Sequence, residues 1–138
     1  MPKIFAVNFF KAVSPVSRPI ADSTHAISEI SFIVTRITLD NGVTGEAYLL
    51  SFHYSPRAIL GALRDIRDLA VGFEVTETEQ FIREFQNESE YFGHAGIHRW
   101  ALGSINIAMW DARGKILSKP VWKLFDVHHD RVPLYGSG

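Results

Sequence analysis

The sequence predicts an α+β domain in which three antiparallel strands precede three helices. Two observations support this prediction. Apolar and polar residues alternate through much of the first third of the chain, and further along apolar residues recur at helical spacing. Strands grouped ahead of helices are typical of helices packed on one face of an antiparallel sheet. We therefore expect a three-stranded antiparallel meander followed by a three-helix bundle.

The first predicted strand covers Lys3–Val13, which is rich in isoleucine, valine and phenylalanine. It is followed by Pro15 and Pro19, which lack a backbone N–H and have a fixed φ. Two prolines so close together favour irregular structure. We therefore expect the strand to end at Ser14 and a loop to extend through His25.

The second and third strands form the most distinct element of the sequence. Apolar residues alternate from Ile27 to Leu39, and the alternation resumes from Val43 to Leu50. Between them lies Asp40-Asn41-Gly42, whose residues tolerate the positive φ that tight hairpin turns require. These features predict a β-hairpin.

Three helices are expected in the second half of the chain. Ser55 is a candidate N-cap before Pro56, and apolar residues at helical spacing lead from there to Gly72. The sequence Thr76-Glu77-Thr78-Glu79 has the pattern of a capping box and predicts the start of a second helix. A broad apolar stripe predicts a third helix over Ile97–Ile116.

Composition limits the possible function classes. A chain of 138 residues can bury a single core, at about 68% of its unfolded surface. With a net charge of −1 and no long basic run, it offers no basis for nucleic-acid binding or for a polybasic membrane contact. The absence of cysteine excludes disulfides and thiolate chemistry, and it fits a cytoplasmic protein. No apolar run has the length of a signal peptide or membrane span.

Three pairs of polar residues have spacings that could support chemistry. His94 and His98 are separated by one helical turn and could share a metal, but ordinary helix-start histidines are the favoured interpretation. His128-His129 is more simply a solvated connection. Asp111 and Lys115 could form a catalytic dyad, although a helical i,i+4 ion pair is the plainer interpretation.

Two segments are better candidates for binding. Arg18 to His25 combines a guanidinium, a carboxylate, hydroxyls and an imidazole, and Ser51-Phe52-His53-Tyr54 places an imidazole between two aromatic rings. These groups suit a carboxylate or polyhydroxylated ligand. Turn and cap chemistry explains several of the same residues equally well, so the residues alone leave both interpretations open.

A family resemblance rests on a series of short motifs found in order along the chain. They are Asp40 to Tyr48, Trp110-Asp111 to Lys115, Pro120 to Leu124, and Val132-Pro133-Leu134-Tyr135. Their succession resembles the mandelate racemase and muconate lactonizing enzyme branch of the enolase superfamily. The resemblance implies an N-terminal capping domain over residues 1–125. It also implies that residues 126–138 are a linker and the first strand of a TIM barrel, the rest of which lies outside this chain.

The resemblance also implies a function. In that family two capping loops help to select the substrate, while barrel residues and one Mg²⁺ abstract the proton α to a carboxylate. On this basis the chain is not catalytic alone. It contributes no catalytic residue and no metal ligand, and its substrate contacts come from one set of five residues: Arg18, Asp22, His25, His53 and Tyr54.

The implied parent enzyme is a Mg²⁺-dependent sugar-acid dehydratase, with racemases and cycloisomerases as competitors. Its partners would be the chain's own barrel, a small carboxylate or sugar-acid substrate, and further copies in a homo-oligomer. An alternative is a self-sufficient ligand-binding or protein-interaction module of the same fold, which would use the two loops without chemistry.

Overall fold

The computed structural model describes residues 1–51, 56–91, 95–127 and 131–136. Its sheet confirms the predicted meander, because three antiparallel strands lie in the order in which they follow along the chain. The central strand therefore pairs on both sides, and the other two are edge strands. The strands are β1 (Ile4–Ala21), β2 (Ala26–Leu39) and β3 (Thr44–Leu50).

The turn between β2 and β3 forms where the sequence predicts it. Gly42 has a φ of 83°, which L side chains rarely adopt, and its N–H donates to the carbonyl of Leu39 at 2.9 Å. The Asn41 side chain accepts from the N–H of Val43 at 3.1 Å. Asparagine and glycine thus supply the two features that close the turn.

The prediction that the first strand ends at Ser14 and gives way to a loop is wrong. β1 continues through both prolines to Ala21, and only residues 22–25 separate it from β2. β1 is an edge strand, so a missing N–H can face away from the ladder without breaking it. The pairing with β2 also shifts register between Pro15 and Ile20, which accommodates the second proline.

The helical half contains the three expected helices and one short addition. They are α1 (Pro56–Ala70), α2 (Thr78–Glu88) and α3 (Ile97–Ile116), followed by a 3-10 helix over Val121–Leu124. Ser55, the candidate N-cap, lies outside the described residues. The predicted capping box does not form, because α2 begins at Thr78 and its N-cap residue Glu77 makes no side-chain capping bond. Instead the Glu77 carboxylate accepts from the N–H of Glu74 at 2.9 Å.

The core lies between the helices and one face of the sheet, which is the predicted arrangement of layers. Alternate residues of β2 are fully buried against the helical layer, among them Ile33, Thr35 and Ile37. Thr35 is polar, but its hydroxyl oxygen accepts from the Ser104 hydroxyl of α3 at 2.7 Å. This pairing satisfies two buried polar groups at the centre of the interface.

Helix α3 lies very close to β3 at Gly45. A Cβ on Gly45 would be 2.0 Å from the backbone carbonyl oxygen of Ala108, so only glycine fits. The i,i+4 interpretation of Asp111 and Lys115 is confirmed, with 2.7 Å between Asp111 Oδ2 and Lys115 Nζ. Both residues also bond to the backbone of β3.

The last described residues follow the 3-10 helix. Phe125 packs on Trp110 of α3, with 4.5 Å between ring centroids. Residues 131–136 are exposed and have no regular secondary structure. A domain boundary between residues 125 and 126 stays a prediction. Within the described ranges, no helix combines the length and the apolar character needed to cross a membrane.

Candidate functional site

The candidate site begins at a two-stranded arm that extends from the sheet. β3 ends at Leu50, which pairs with Phe32, whereas β1 and β2 remain paired beyond that point. Most residues of the extension are exposed, up to the turn at residues 22–25. The arm therefore presents its tip away from the core of the domain.

The turn at the tip is organised by Asp22. Its Oδ1 accepts from the backbone N–H groups of Thr24 and His25, both at 2.7 Å, and from the Thr24 hydroxyl at 2.9 Å. The two backbone hydrogen bonds, followed by the hydroxyl, lower the Asp22 pKa from 3.8 to about 2. Asp22 is thus ionised at neutral pH, and one of its oxygens is committed to the turn.

The same network orients the imidazole of His25. Its Nδ1 lies 2.7 Å from the Thr24 hydroxyl and 3.4 Å from Asp22 Oδ1, while its side chain is 46% exposed. These two contacts fix the ring beside the turn. The structure therefore brings together two of the five predicted substrate contacts.

Arg18 lies on the same arm but not in a loop, which corrects its predicted setting. It belongs to β1, within the stretch where pairing with β2 is interrupted between Pro15 and Ile20. Its side chain is exposed and has no hydrogen bond or ion pair with any residue that the structure describes. The guanidinium is therefore available to an anionic group.

The second candidate segment starts at the base of the arm. Ser51 follows β3, is fully buried, and donates its N–H to the carbonyl of Ser31 at 2.7 Å. Because Ser31 lies where the arm leaves the sheet, this bond anchors the start of the second segment beside the arm. His53 and Tyr54 lie outside the described residues, so their positions in the site stay predictions.

A separate cavity of about 520 Å³ lies among the three helices, with Ile66, Leu69 and Phe85 in its lining. At its edge His98 Nε2 is 3.3 Å from Asp65 Oδ2. His98 thus pairs with a residue of α1, whereas His94, its proposed metal-sharing neighbour, lies outside the described residues. Sequence reasoning missed Asp65 because 33 positions separate the partners, and no local pattern signals such a contact.

The residues that the structure describes do not form a recognisable metal site. Nowhere in them do three or more histidine, cysteine, aspartate or glutamate side chains form a group that could hold an ion. Asp22 and His25 supply two such groups, but Asp22 Oδ1 is committed to the turn. A Mg²⁺ requires several oxygen ligands in a near-octahedral arrangement, which this pair does not provide.

Comparison with known proteins identifies the family. The model of the mandelate racemase / muconate lactonizing enzyme N-terminal domain matches residues 5–125, which is most of the chain. The chain belongs to this family. The resemblance that the sequence motifs indicate is therefore confirmed, and the chain corresponds to the N-terminal domain of enolase-superfamily enzymes such as dehydratases and racemases.

Among curated relatives of this N-terminal domain, a 3,6-anhydro-α-L-galactonate cycloisomerase from Streptomyces coelicolor is 29% identical over 126 residues. The match covers 90% of this chain and 35% of the relative. An L-talarate/galactarate dehydratase from Salmonella typhimurium is 23% identical over 132 residues, or 91% of this chain and 33% of the relative. The chain thus spans about a third of the length of the curated relatives it matches.

A solved structure confirms the fold. L-Talarate dehydratase from Polaromonas sp. JS666, complexed with Mg and L-glucarate, superposes with a TM-score of 0.84 at 19% identity. The match covers 94% of this chain and 36% of that structure. The agreement extends over the strands and the helices, so the architecture of three strands followed by three helices is that of the family's N-terminal domain.

Proposed function

We propose that this chain is the capping domain of a longer Mg²⁺-dependent enzyme that abstracts the proton α to the carboxylate of a sugar acid. The observation that carries the proposal is the family match over residues 5–125 in a chain about one third as long as its relatives. We assign the Mg²⁺ and the proton-abstracting groups to a barrel domain encoded with this chain. A barrel of that kind requires about 200 residues or more.

The substrate class follows from two relatives whose names specify sugar acids, one a cycloisomerase and the other a dehydratase. Such substrates carry at least one carboxylate and several hydroxyls. An exposed guanidinium at Arg18 and an oriented imidazole at His25 are suitable partners for those groups. We favour a dehydratase over a racemase or cycloisomerase, with an aldonic or aldaric acid as substrate.

Within this proposal the arm tip and the segment after Ser51 close over the substrate. Arg18, His25, His53 and Tyr54 contact it directly. Asp22 contributes mainly by fixing the turn that carries His25, because its Oδ1 already accepts three hydrogen bonds. The chain's own residues thus bind and orient the acid and exclude water, and none of them transfers the proton.

The test begins with the codons that follow Gly138 in the gene. We expect the reading frame to continue through a barrel, and the encoded enzyme to turn over aldaric or aldonic acids when Mg²⁺ is supplied. A stop codon directly after Gly138 would contradict this proposal and favour a self-sufficient binding module. An enzyme that acts only on acids without hydroxyl groups would contradict the sugar-acid assignment.

Two variants of the longer enzyme test the arm. Arg18→Ala and His25→Ala should each raise KM about tenfold while changing kcat far less, because each removes binding rather than chemistry. Arg67→Ala is the matched control, since Arg67 is an exposed arginine on α1 that pairs with its neighbour Asp68. If both arm variants keep the KM of the unmodified enzyme, the arm does not contact the substrate.

A further inference from the structure

The cavity among the three helices is built from parts of the chain that the arm does not use. Its described lining comes from the second half of α1, the end of α2 and the first turn of α3, and it includes no residue of β1, β2 or β3. Its volume of about 520 Å³ lies within the range of about 300 to 1,000 Å³ that is typical of sites for small molecules. The cavity is therefore a second candidate site, separate from the arm.

The interior of the cavity is apolar. Ile66 and Phe85 are buried, at 2% and 4% exposure, and Leu69 adds a half-buried side chain to the lining. Aliphatic and aromatic side chains of this kind form most of the surface in sites for small molecules. They are suited to the apolar body of a ligand, which gains free energy by leaving water.

One polar side chain of the lining is buried without a described partner. Ser89 is 8% exposed, and its Oγ makes no hydrogen bond with any residue that the structure describes. Its backbone N–H donates to the carbonyl of Phe85 at 3.0 Å at the end of α2, so the N–H is satisfied while the hydroxyl is not. A buried hydroxyl that makes no hydrogen bond costs free energy. A ligand group that bonds to Ser89 Oγ would remove this cost.

The opening of the cavity is negatively charged. Asp65 and Glu88 line the cavity and are exposed, which places their carboxylates where the cavity meets solvent. His98 Nε2 lies 3.3 Å from Asp65 Oδ2, but one imidazole, with or without a second proton, cannot offset two carboxylates. The described lining contains no lysine or arginine. These groups therefore favour a cation at the opening and disfavour an anion.

We propose that this cavity binds a small primary amine with an aromatic or branched aliphatic body. The body packs against the apolar interior. The ammonium group donates to the carboxylates of Asp65 and Glu88 and to Ser89 Oγ, which thereby gains a hydrogen-bond partner. Hydrogen bonds between an ammonium and a carboxylate are about twice as strong as those between neutral groups. The proposal does not depend on the enzymatic function proposed above, because the cavity and the arm share no described residue.

Calorimetry with three probes of similar shape tests the class of ligand. We expect 2-phenylethylamine to bind the 138-residue chain with a dissociation constant of about 1 mM or lower, which suits a molecule of its size. 2-Phenylethanol has the same skeleton without the charge and should bind about tenfold more weakly, and phenylacetate should not bind. The proposal is wrong if the amine does not saturate the chain, or if either of the other probes binds as tightly.

Two substitutions test the polar contacts. Glu88→Gln removes one carboxylate from the opening and should raise the dissociation constant of 2-phenylethylamine about fivefold. Glu79→Gln is the matched control, because Glu79 lies in the first turn of the same helix and outside the described lining. Ser89→Ala should weaken binding about fivefold without lowering the midpoint of urea unfolding, since the hydroxyl bonds to no described residue. A lower midpoint with unchanged affinity would contradict the contact between Ser89 and the amine.

A larger side chain in the lining tests whether the amine occupies the cavity. Leu69→Trp places an indole where the body of the amine packs, so binding should be lost. Leu60→Trp is the matched control, because Leu60 is also a half-buried leucine of α1 but does not belong to the described lining. Circular dichroism checks that both variants are folded. If the folded Leu69→Trp variant binds the amine as the unmodified chain does, the ligand lies elsewhere.

NMR locates the bound amine without a substitution. Addition of 2-phenylethylamine to the ¹⁵N-labelled chain should shift the amide signals of Ser89 and His98, which line the cavity on two different helices. The amides of Thr24 and His25, at the tip of the arm, should stay in place. If the shifts instead concentrate at the arm tip, the amine binds there and the assignment of the cavity is overturned.

Discussion

The carboxylate of Asp111, on α3, accepts a hydrogen bond from the backbone N–H of Glu46, on β3, at 2.8 Å. One helical turn further on, Lys115 donates to the carbonyl of Thr44 at 3.0 Å. β3 is an edge strand, and these two side chains satisfy backbone groups that another strand would otherwise pair. The Asp111–Lys115 pair is therefore a connection between helix and sheet as well as an ion pair on the helix surface.

Removing the carboxylate should destabilise the domain measurably. Asp111→Ala leaves the Glu46 N–H and the Lys115 ammonium without their shared partner, and we expect the free energy of unfolding to fall by about 2 kcal/mol. Urea denaturation followed by circular dichroism measures this change. Glu79→Ala is the control, because Glu79 forms an exposed pair with Arg83 at 3.7 Å whose loss should cost less than about 0.5 kcal/mol. Equal losses for the two variants would contradict the role given to Asp111.

Gly45 should tolerate no side chain. Gly45→Ala places a methyl group against the Ala108 carbonyl and forces α3 away from β3, so we expect a loss of about 3 kcal/mol or more. Gly103→Ala is the contrasting variant, because a Cβ there meets nothing within 4 Å in the middle of α3. It should raise stability by about 0.5 to 1 kcal/mol. The midpoint of thermal or urea unfolding should therefore fall in Gly45→Ala and rise in Gly103→Ala. If both midpoints move in the same direction, α3 does not approach β3 as closely as described at Gly45.

The buried hydroxyl pair of Thr35 and Ser104 should behave as one unit. Ser104→Ala removes the donor to Thr35 Oγ1, and Thr35→Val removes the acceptor, so each change should cost about 1 to 3 kcal/mol. Making both changes should cost about 1 kcal/mol less than the sum, because no buried hydroxyl is then left without its partner. A double-mutant cycle measured in urea tests this, and strictly additive losses would show that the two hydroxyls do not interact.

Much of the fold could be predicted from the sequence because its signals are local. The hairpin depends on alternation along β2 and β3 and on Asn41 and Gly42 between them, all within one short stretch. The third helix depends on one continuous apolar stripe, and its predicted range agrees with the structure. Order along the chain also predicts the layers, because strands precede helices without alternating.

Features that depend on the position of a strand in the sheet could not be predicted in this way. Pro15 and Pro19 indicate a loop when considered alone, but they are accommodated because β1 lies at an edge. Helix α2 also departs from its predicted start, since its N-cap residue is Glu77 and not Thr76, and the Glu77 carboxylate accepts from the N–H of Glu74. The edge position of β1 is decided by the whole sheet, which a local pattern does not contain.

In the candidate site, too, some features have local sequence signals and others depend on distant parts of the fold. Residue chemistry singled out the segment from Arg18 to His25, and the structure brings its Asp22 and His25 together in a tight turn. Nothing in the sequence indicated that the turn would sit at the end of a long paired arm that includes Arg18. Nor could spacing reveal that Asp111 and Lys115 bond to the backbone of β3, because those partners are more than 60 positions away.

The order of the arm tip should depend on the ionisation of Asp22. Its pKa is lowered from 3.8 to about 2, so the turn favours the charged form. The stabilisation that it provides is therefore complete above pH 3.8 and is lost as the pH falls through about 2. NMR titration should show a midpoint near pH 2 for the Asp22 side chain, with the amide signals of Thr24 and His25 moving together.

Two substitutions separate the charge of Asp22 from its hydrogen bonds. Asp22→Asn retains an oxygen that can accept from the Thr24 and His25 amides, so the turn should stay ordered while the transition near pH 2 disappears. Asp22→Ala removes the acceptor, and the same amides should become more mobile at every pH, as measured by ¹⁵N relaxation. If Asp22→Ala leaves both amides as ordered as they are in the unmodified chain, Asp22 does not organise the tip and the orientation of His25 has another cause.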